Sequence, residues 1–245
     1  MESLAAQMDR DGLQKDPIIV DRVSGTVLDG MHRLAAFSRL GISKAACCSV
    51  DYDSGAVTLS RWARVYALPR GESLASVLES LSITRRVSLA DAVEALGRKE
   101  VGLAVLTSDA AHVPTQPTDL KATFELVLGL DSFSEKKGWR RDFVPEDDLD
   151  LSLQEKRNVV ILVQKLTKDD VVSAAKSRNL FPCKTSMHRI DPRPVAVNFP
   201  LAELNVATTE GLRELLKGKR ERLLPADSVY GGRRYKERLL LLNPA

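Results

Sequence analysis

Cysteine, aromatic residues, net charge and long apolar runs are all scarce in this chain of 245 residues. Most of these scarcities remove a class of protein. Three cysteines, two of them adjacent at Cys47 and Cys48, do not make a disulfide framework and are poorly spaced to bind a metal. Cys47 and Cys48 sit in the apolar run Ala45–Val50 and read as small strand residues. No apolar run approaches the roughly 20 residues of a membrane-spanning helix. The N-terminus shows no signal-peptide core. A formal charge of +3 does not mark a nucleic-acid protein by itself, and aromatic content is low at 5%. What remains is a soluble, cytoplasmic protein without a membrane partner, able to bury one large core or two modest ones.

Hydrophobic spacing divides the chain into elements. Leu4, Ala5, Met8 and Leu13 fall on one side of an opening helix that stops near Asp11-Gly12. Pro17–Val20 reads as a strand, Ser24-Gly25 as a tight turn and Thr26–Leu28 as the returning strand. A helix follows, then strands near 44–52 and 56–66 separated by Asp53-Ser54-Gly55. Residues 1–66 thus form a small mixed unit, and Pro69-Arg70-Gly71 marks a break. Beyond it, helices are predicted around 73–81, 88–99 and 118–135, while the charged stretch 135–157 reads as irregular with an exposed loop. Val159–Val163 is a buried strand by its β-branched character, and Thr167 caps a helix with Asp169 and Asp170 at the favoured end. The expected fold class is mixed α/β (α+β), with a small domain over 1–66 and a larger one over 67–245.

The most informative stretch is Val27–Ala36. A short strand ends, Gly30 turns the chain, and a helix begins with His32 and Arg33 in its first turn. Cations are disfavoured there, because a helix start carries partial positive charge and unpaired N–H groups. An anion reverses the sign: the N–H groups, Arg33 and His32 would converge on it, and glycine lets the backbone approach closely. The plainer reading is a strand–turn–helix unit in which Asp29 caps the helix, Leu34, Phe37 and Leu40 pack on a sheet, and Gly41 ends it.

A second polar cluster lies at Lys184-Thr185-Ser186-Met187-His188-Arg189, with Pro182 before it and Pro192 and Pro194 after it. It is poor helix and poor strand, so it reads as a loop between stiff flanks, where binding residues are often placed. Its ammonium, hydroxyls and imidazole suit a small zwitterion or a carboxylate. A solvated basic loop is the alternative. Of only three histidines, His32 and His188 fall in these two clusters. His112 has no polar company and reads as structural or surface. Trp62, at the end of a predicted strand, is either core or an aromatic that could stack near a nucleotide.

Together the clusters resemble a known family. Asp29-Gly30-Met31-His32-Arg33 after a strand resembles the phosphate motif of the ParB/sulfiredoxin superfamily. Lys184-Thr185-Ser186-Met187-His188 narrows the resemblance to the free L-serine kinases within it. The spacing to Trp62 and the ending Gly232-Arg233-Arg234-Tyr235-Lys236-Glu237-Arg238 are also similar. The resemblance covers nearly the whole chain and is weakest over 70–155. It implies a ParB/sulfiredoxin-like N-terminal domain that binds nucleotide phosphates, and a phosphotransferase that converts free L-serine to O-phospho-L-serine with ADP or ATP. By it, Gly30, Met31, His32 and Arg33 would cradle the phosphates, and Asp29 would help hold Mg2+ or a phosphate-bound water. Lys184, Thr185, Ser186 and His188 would hold the serine, and Trp62 would line the pocket.

The chain departs from the family in two places. Met31 stands where members often carry a histidine; a backbone N–H contact survives the change. The family's catalytic glutamate falls before Met1, together with an edge strand, so an internal start is expected; Glu2 belongs to the first helix and is not its equivalent. The alternative function is a ParB-like, nucleotide-dependent DNA-binding or transcriptional regulator. No helix-turn-helix pattern or strongly basic domain supports nucleic acid as a partner, and Lys217–Arg222 reads as the solvated end of a helix. Sulfinate reduction would need a cysteine at the place of Met31 and is set aside.

Overall fold

The computed structural model of the chain describes residues 3–83, 85–206, 208–217 and 219–242. Glu2 and Gly218, touched on above, lie outside them. The chain is mixed α/β and forms two compact units, Met1–Thr58 with His188–Ala245, and Leu59–Met187. The division expected after residue 66 is therefore drawn differently. The strand Val57–Ala67 runs on without a break at 66, and the C-terminal segment returns to the first unit. It returns because Val197, Phe199, Leu201 and Leu204 complete the core that Ala5, Met8, Ile18 and Phe37 begin.

In the first unit, Ser3 Oγ caps the helix Leu4–Asp11 by accepting from the Ala6 N–H at 3.3 Å, and left-handed Gly12 ends it. The strand Ile18–Asp21 lies between Val27–Asp29, antiparallel, and Cys47–Val50, parallel. A parallel pair needs a crossover, and the helix Met31–Arg39 supplies it. That helix buries Ala36 and Phe37 and leaves Leu34 43% exposed, so Leu34 does not join Phe37 and Leu40 in the core as its spacing suggested. Gln14 is fully buried. Its amide receives the Ala46 N–H at 2.8 Å and donates to the Ala46 carbonyl at 2.7 Å, a side chain doing the work of a strand. Near the C-terminus, Leu239–Leu241 pairs parallel with Arg193–Val195 and antiparallel with Arg222–Leu224. The basic end of the helix Thr209–Lys217 is not wholly solvated: Lys219 donates to the Val197 carbonyl at 2.6 Å and its ammonium lies 5.7 Å from the centre of the Phe199 ring.

The second unit is an antiparallel sheet. Val57–Ala67 has Arg140–Pro145 as one partner and Asn158–Val163 as another, followed by Leu103–Leu106, Ala111–Val113 and Arg85–Val87. Both faces are covered. Tyr66, Val105, Ile161 and Val163 enter one core with Phe124 and Trp139, while Val65, Leu106, Val160 and Leu162 enter the other with Leu96. Alternate residues of one strand feed opposite cores, which is why 159–163 is apolar throughout. The stretch read as irregular holds the strand Arg140–Pro145, a turn of 3-10 helix at Glu146–Asp148 and the helix Leu149–Leu153. Its charge is spent on pairs, such as Arg141 with Asp131 at 3.0 Å, so the strand survives a composition that hides it.

Candidate functional site

In the first unit the site is built around Gly30, the N-cap residue of the helix Met31–Arg39. Its φ is +99°, and a Cβ there would lie 3.1 Å from Arg33 Nη2 and 3.2 Å from both Cα and Cγ1 of Ile18. Only glycine fits without displacing backbone. No side chain caps this helix, and no acidic residue lies in its first turn. The plainer reading, in which Asp29 caps the helix, is thus not what forms.

The Asp29 carboxylate is instead held by two guanidiniums. Its Oδ2 accepts from Arg33 Nη2 at 3.2 Å and from Arg193 Nη1 at 3.1 Å. Burial pushes this carboxyl up, but the charges of Arg33 and Arg193, with the Gly30 N–H, outweigh it and hold the group below its ordinary value. Arg33 is also anchored by the Pro17 carbonyl at 3.0 Å, and its Nε is buried without a partner. His32 and Met31 are exposed beside it. The result is an uncapped helix start whose positive end is that of the helix itself, with the Arg33 guanidinium beneath it already paired with Asp29. Such a start is a ready acceptor of an anionic phosphate.

Arg193 extends this network. Its Nε donates to Glu237 Oε1 at 2.6 Å, and its Nη2 donates to the carbonyl of His188. His188 is 8% exposed, and its Nε2 lies 2.8 Å from the Tyr52 hydroxyl. Of the residues expected to bind serine, His188 is the one the first unit contains.

The others belong to the second unit. The expected loop 184–189 is shorter than it reads, because a strand begins at Ser186 and runs to Ile190. Met187, His188 and Ile190 are buried in it, which offsets its polar composition. The turn before it is tightly made. Lys184 takes a left-handed φ of +58°, and buried Thr185 donates its hydroxyl to the Pro182 carbonyl at 2.8 Å. The Lys184 ammonium stands 4.2 Å from the centre of the Trp62 ring. Trp62 is half-buried inside its strand, opposite Pro145, rather than at its end. Beneath the turn, Arg64 donates to the Cys183 carbonyl at 3.0 Å and to Asp131 at 3.3 Å. Asp131 also receives Arg141 and the Tyr66 hydroxyl.

The structure therefore brings Asp29, Gly30, Arg33 and His188 into one unit, and Trp62, Lys184, Thr185 and Ser186 into the other. Sequence reasoning missed Arg193, Tyr52 and Arg64. Arg193 lies between Pro192 and Pro194, whose stiffness is the only local signal there, and the partners of Tyr52 and Arg64 are distant in sequence.

The donor set around Asp29 does not fit magnesium. One carboxylate oxygen shared by two guanidiniums presents a divalent cation with two positive charges, and hard cations of this kind need more oxygen ligands. Among the described residues no group of three or more His, Cys, Asp or Glu is placed to hold a metal ion. What the helix start does offer an anion is its uncapped backbone N–H groups, and Gly30 keeps the turn before them close against Ile18. No helix among the described residues is long and apolar enough to cross a membrane.

No family model matches the chain. A ParB-like protein of Sulfolobus acidocaldarius is 42% identical over 59 residues, a match spanning 22% of this chain and 30% of the length of that relative. Among solved structures, a free serine kinase in complex with ADP superposes with a TM-score of 0.66 at 21% identity, covering 82% of this chain and 84% of that one. SbnI of Staphylococcus aureus, with a C-terminal truncation, gives a TM-score of 0.65 at 15% identity over 86% of this chain and 84% of its own. At such identities the likeness is one of architecture: the chain has the mixed α/β fold seen in the free serine kinase structure.

Proposed function

We propose that this protein is a nucleotide-dependent phosphotransferase whose acceptor is the hydroxyl of free L-serine. The observation that carries the reading is the helix start at Gly30: glycine-specific, uncapped, and underlain by Arg33 with Asp29 turned toward cations. The free serine kinase with the same fold was solved with ADP, which supports a nucleotide as the donor. The nucleotide supplies the phosphoryl group. Backbone N–H groups of Met31, His32 and Arg33 hold its phosphates, with the His32 imidazole and the Arg33 guanidinium, the latter shared with Asp29, as side-chain donors. Lys184, Thr185, Ser186 and His188 hold the amino acid, with Trp62 fixing the Lys184 ammonium. In the transfer, a bond forms between serine Oγ and phosphorus, the terminal bridging P–O bond breaks with its electron pair staying on the departing nucleotide phosphate, and the hydroxyl proton passes to solvent water. The products are O-phospho-L-serine with AMP from ADP, or with ADP from ATP. Catalysis of this kind depends on positioning and charge neutralisation more than on covalent chemistry by the protein. Asp29 orients the two arginines in this scheme, and no step passes through a metal bound to it.

The test is titration of the chain with ADP, ATP and L-serine, followed by 31P NMR of a mixture of serine and nucleotide. Formation of O-phospho-L-serine, lost in Gly30→Val and weakened in Lys184→Met, is the expected result. The ParB-like relative favours a second reading, a nucleotide-dependent DNA-binding regulator. Nucleotide binding without serine binding or transfer, together with a nucleotide-dependent gel shift of duplex DNA, would establish that reading instead.

A further inference from the structure

Arg193 is 5% exposed, and the donors of its guanidinium go to three separate segments of the first unit. Nη1 donates to Asp29, at the phosphate-binding helix start, at 3.1 Å. Nη2 donates to the carbonyl of His188. Nε donates to Glu237 of the C-terminal segment at 2.6 Å. The backbone adds to this, since the Arg193 N–H donates to the Arg238 carbonyl at 2.8 Å and Arg238 pairs with Asp191 at 2.9 Å. Glu237 is almost as buried, with its side chain 8% exposed. The cluster of Arg33, Arg193, Asp29 and Glu237 is neutral overall, which makes its burial tolerable.

We infer that Arg193 is a positioning residue that couples the nucleotide site to the serine site. The inference rests on the functional reading above. One rigid, planar fork touches Asp29, which orients Arg33 at the phosphate site, and the backbone of His188, assigned to the serine. A change in the aim of either is therefore carried to the other through a single side chain. Glu237 holds the third corner, so the C-terminal segment takes part in the site without touching a substrate. Lysine cannot replace this arginine, because an ammonium on a flexible stem cannot meet three acceptors in a fixed plane.

The experiment uses the full chain and the variants Arg193→Lys, Glu237→Gln and Asp29→Asn. ADP and L-serine dissociation constants are measured separately by calorimetry, and near-ultraviolet circular dichroism checks the fold. Arg193→Lys is expected to weaken both ligands by about tenfold. Glu237→Gln, which keeps an acceptor oxygen and removes only charge, is expected to weaken both by a smaller factor; it carries the test if the lysine variant does not fold. The decisive readout is the cross-effect. Asp29→Asn should weaken L-serine severalfold in the parent and leave it unchanged in the Arg193→Lys background, whereas a merely structural arginine would lower stability and leave the cross-effect intact. A parent that binds both ligands, with both constants within about twofold in Arg193→Lys and Glu237→Gln, overturns the coupling alone. A parent that binds neither ligand overturns the functional reading and this inference with it.

Discussion

The Tyr52 hydroxyl lies 2.8 Å from Nε2 of His188, and the two rings meet at 5.4 Å between centroids with a 54° tilt. Both residues are buried, and 135 residues separate them in the chain. Burial, with Asp21 and Asp53 adding to it, pushes the Tyr52 phenol well above its usual range, so the hydroxyl keeps its proton at any physiological pH. A phenol held in this way fixes the orientation of the imidazole it touches. His188 is therefore aimed by the first unit itself.

Tyr52→Phe removes one partner of a buried pair and leaves the imidazole nitrogen short of a hydrogen bond. Such a loss costs about 1–3 kcal/mol, which urea unfolding would register as a lower midpoint with an unchanged slope. The dissociation constant for L-serine should rise by about tenfold and that for ADP by a smaller factor, because Tyr52 holds the His188 ring and not the backbone carbonyl through which Arg193 reaches the nucleotide site. Unchanged serine binding would show that the orientation of His188 is irrelevant to the acceptor.

Gly30→Ala combines two penalties. The φ of +99° disfavours any residue with a Cβ, and that Cβ would stand 3.2 Å from the backbone of Ile18, which cannot step aside. The expected loss is about 2–4 kcal/mol of stability, with loss of ADP binding. Gly41→Ala is the matched control. Gly41 also has a positive φ, +66°, but nothing lies within 4 Å of its would-be Cβ. Its cost should stay near about 1 kcal/mol, with ADP binding kept. Equal effects of the two substitutions would mean that backbone strain alone, and no close approach at Gly30, explains the glycine.

Much of the fold is legible because its signals are local. The helix Leu4–Asp11 has its Gly12 stop, and Thr167 caps Lys168–Ser177 as expected, with Asp170 closing a reciprocal capping box. Asp29-Gly30 could be found for the same reason, since a glycine at a strand–helix junction is a short-range feature. The strand Arg140–Pro145 was hidden by its charges, because Asp131, the residue that makes Arg141 tolerable, lies on another element. Ser186–Ile190 was hidden in the same way, with His188 satisfied from Tyr52. Arg193 has no local signature at all. Its value lies in acceptors at positions 29 and 237, and a single sequence gives no means of pairing such distant residues.

The pair of Lys184 and Trp62 offers a test in the second unit. An ammonium 4.2 Å from an indole centre gains about 0.5–2 kcal/mol from the ring's electron-rich face. Trp62→Phe keeps a ring and part of that attraction, whereas Trp62→Leu keeps apolar bulk and removes it. Serine affinity should therefore fall in the order tryptophan, phenylalanine, leucine, with about a fivefold loss in the last. The same affinity in all three would mean that the aromatic face does not hold Lys184 for the substrate.

Asp21 gives a prediction in pH. Its carboxylate is 5% exposed and accepts from the Ser24 hydroxyl at 2.6 Å, the Ser24 N–H at 2.8 Å, and the N–H groups of Val23 and Tyr52 at 3.3 Å each. Led by the Ser24 hydroxyl, these donors overcome burial and lower its pKa to about 2. A carboxyl depressed in the folded state contributes stability that is fully present above its unfolded value, near 3.9, and is lost as pH falls through about 2. The contribution is about 2 kcal/mol at neutral pH, at about 1.4 kcal/mol for each tenfold change in proton affinity. Urea unfolding of the parent and Asp21→Asn at pH 7, 4 and 2.5 separates this from other carboxylates. The stability gap between the two should be full at pH 7, begin to close at pH 4 and be mostly closed at pH 2.5. A gap that stays constant would mean that shape rather than charge makes Asp21 the better residue. Because Asp21 also holds the Tyr52 N–H, its protonation loosens the residue that aims His188. L-serine affinity of the folded parent should therefore hold at pH 4 and weaken only as pH approaches about 2, and it should already be weak in Asp21→Asn at neutral pH.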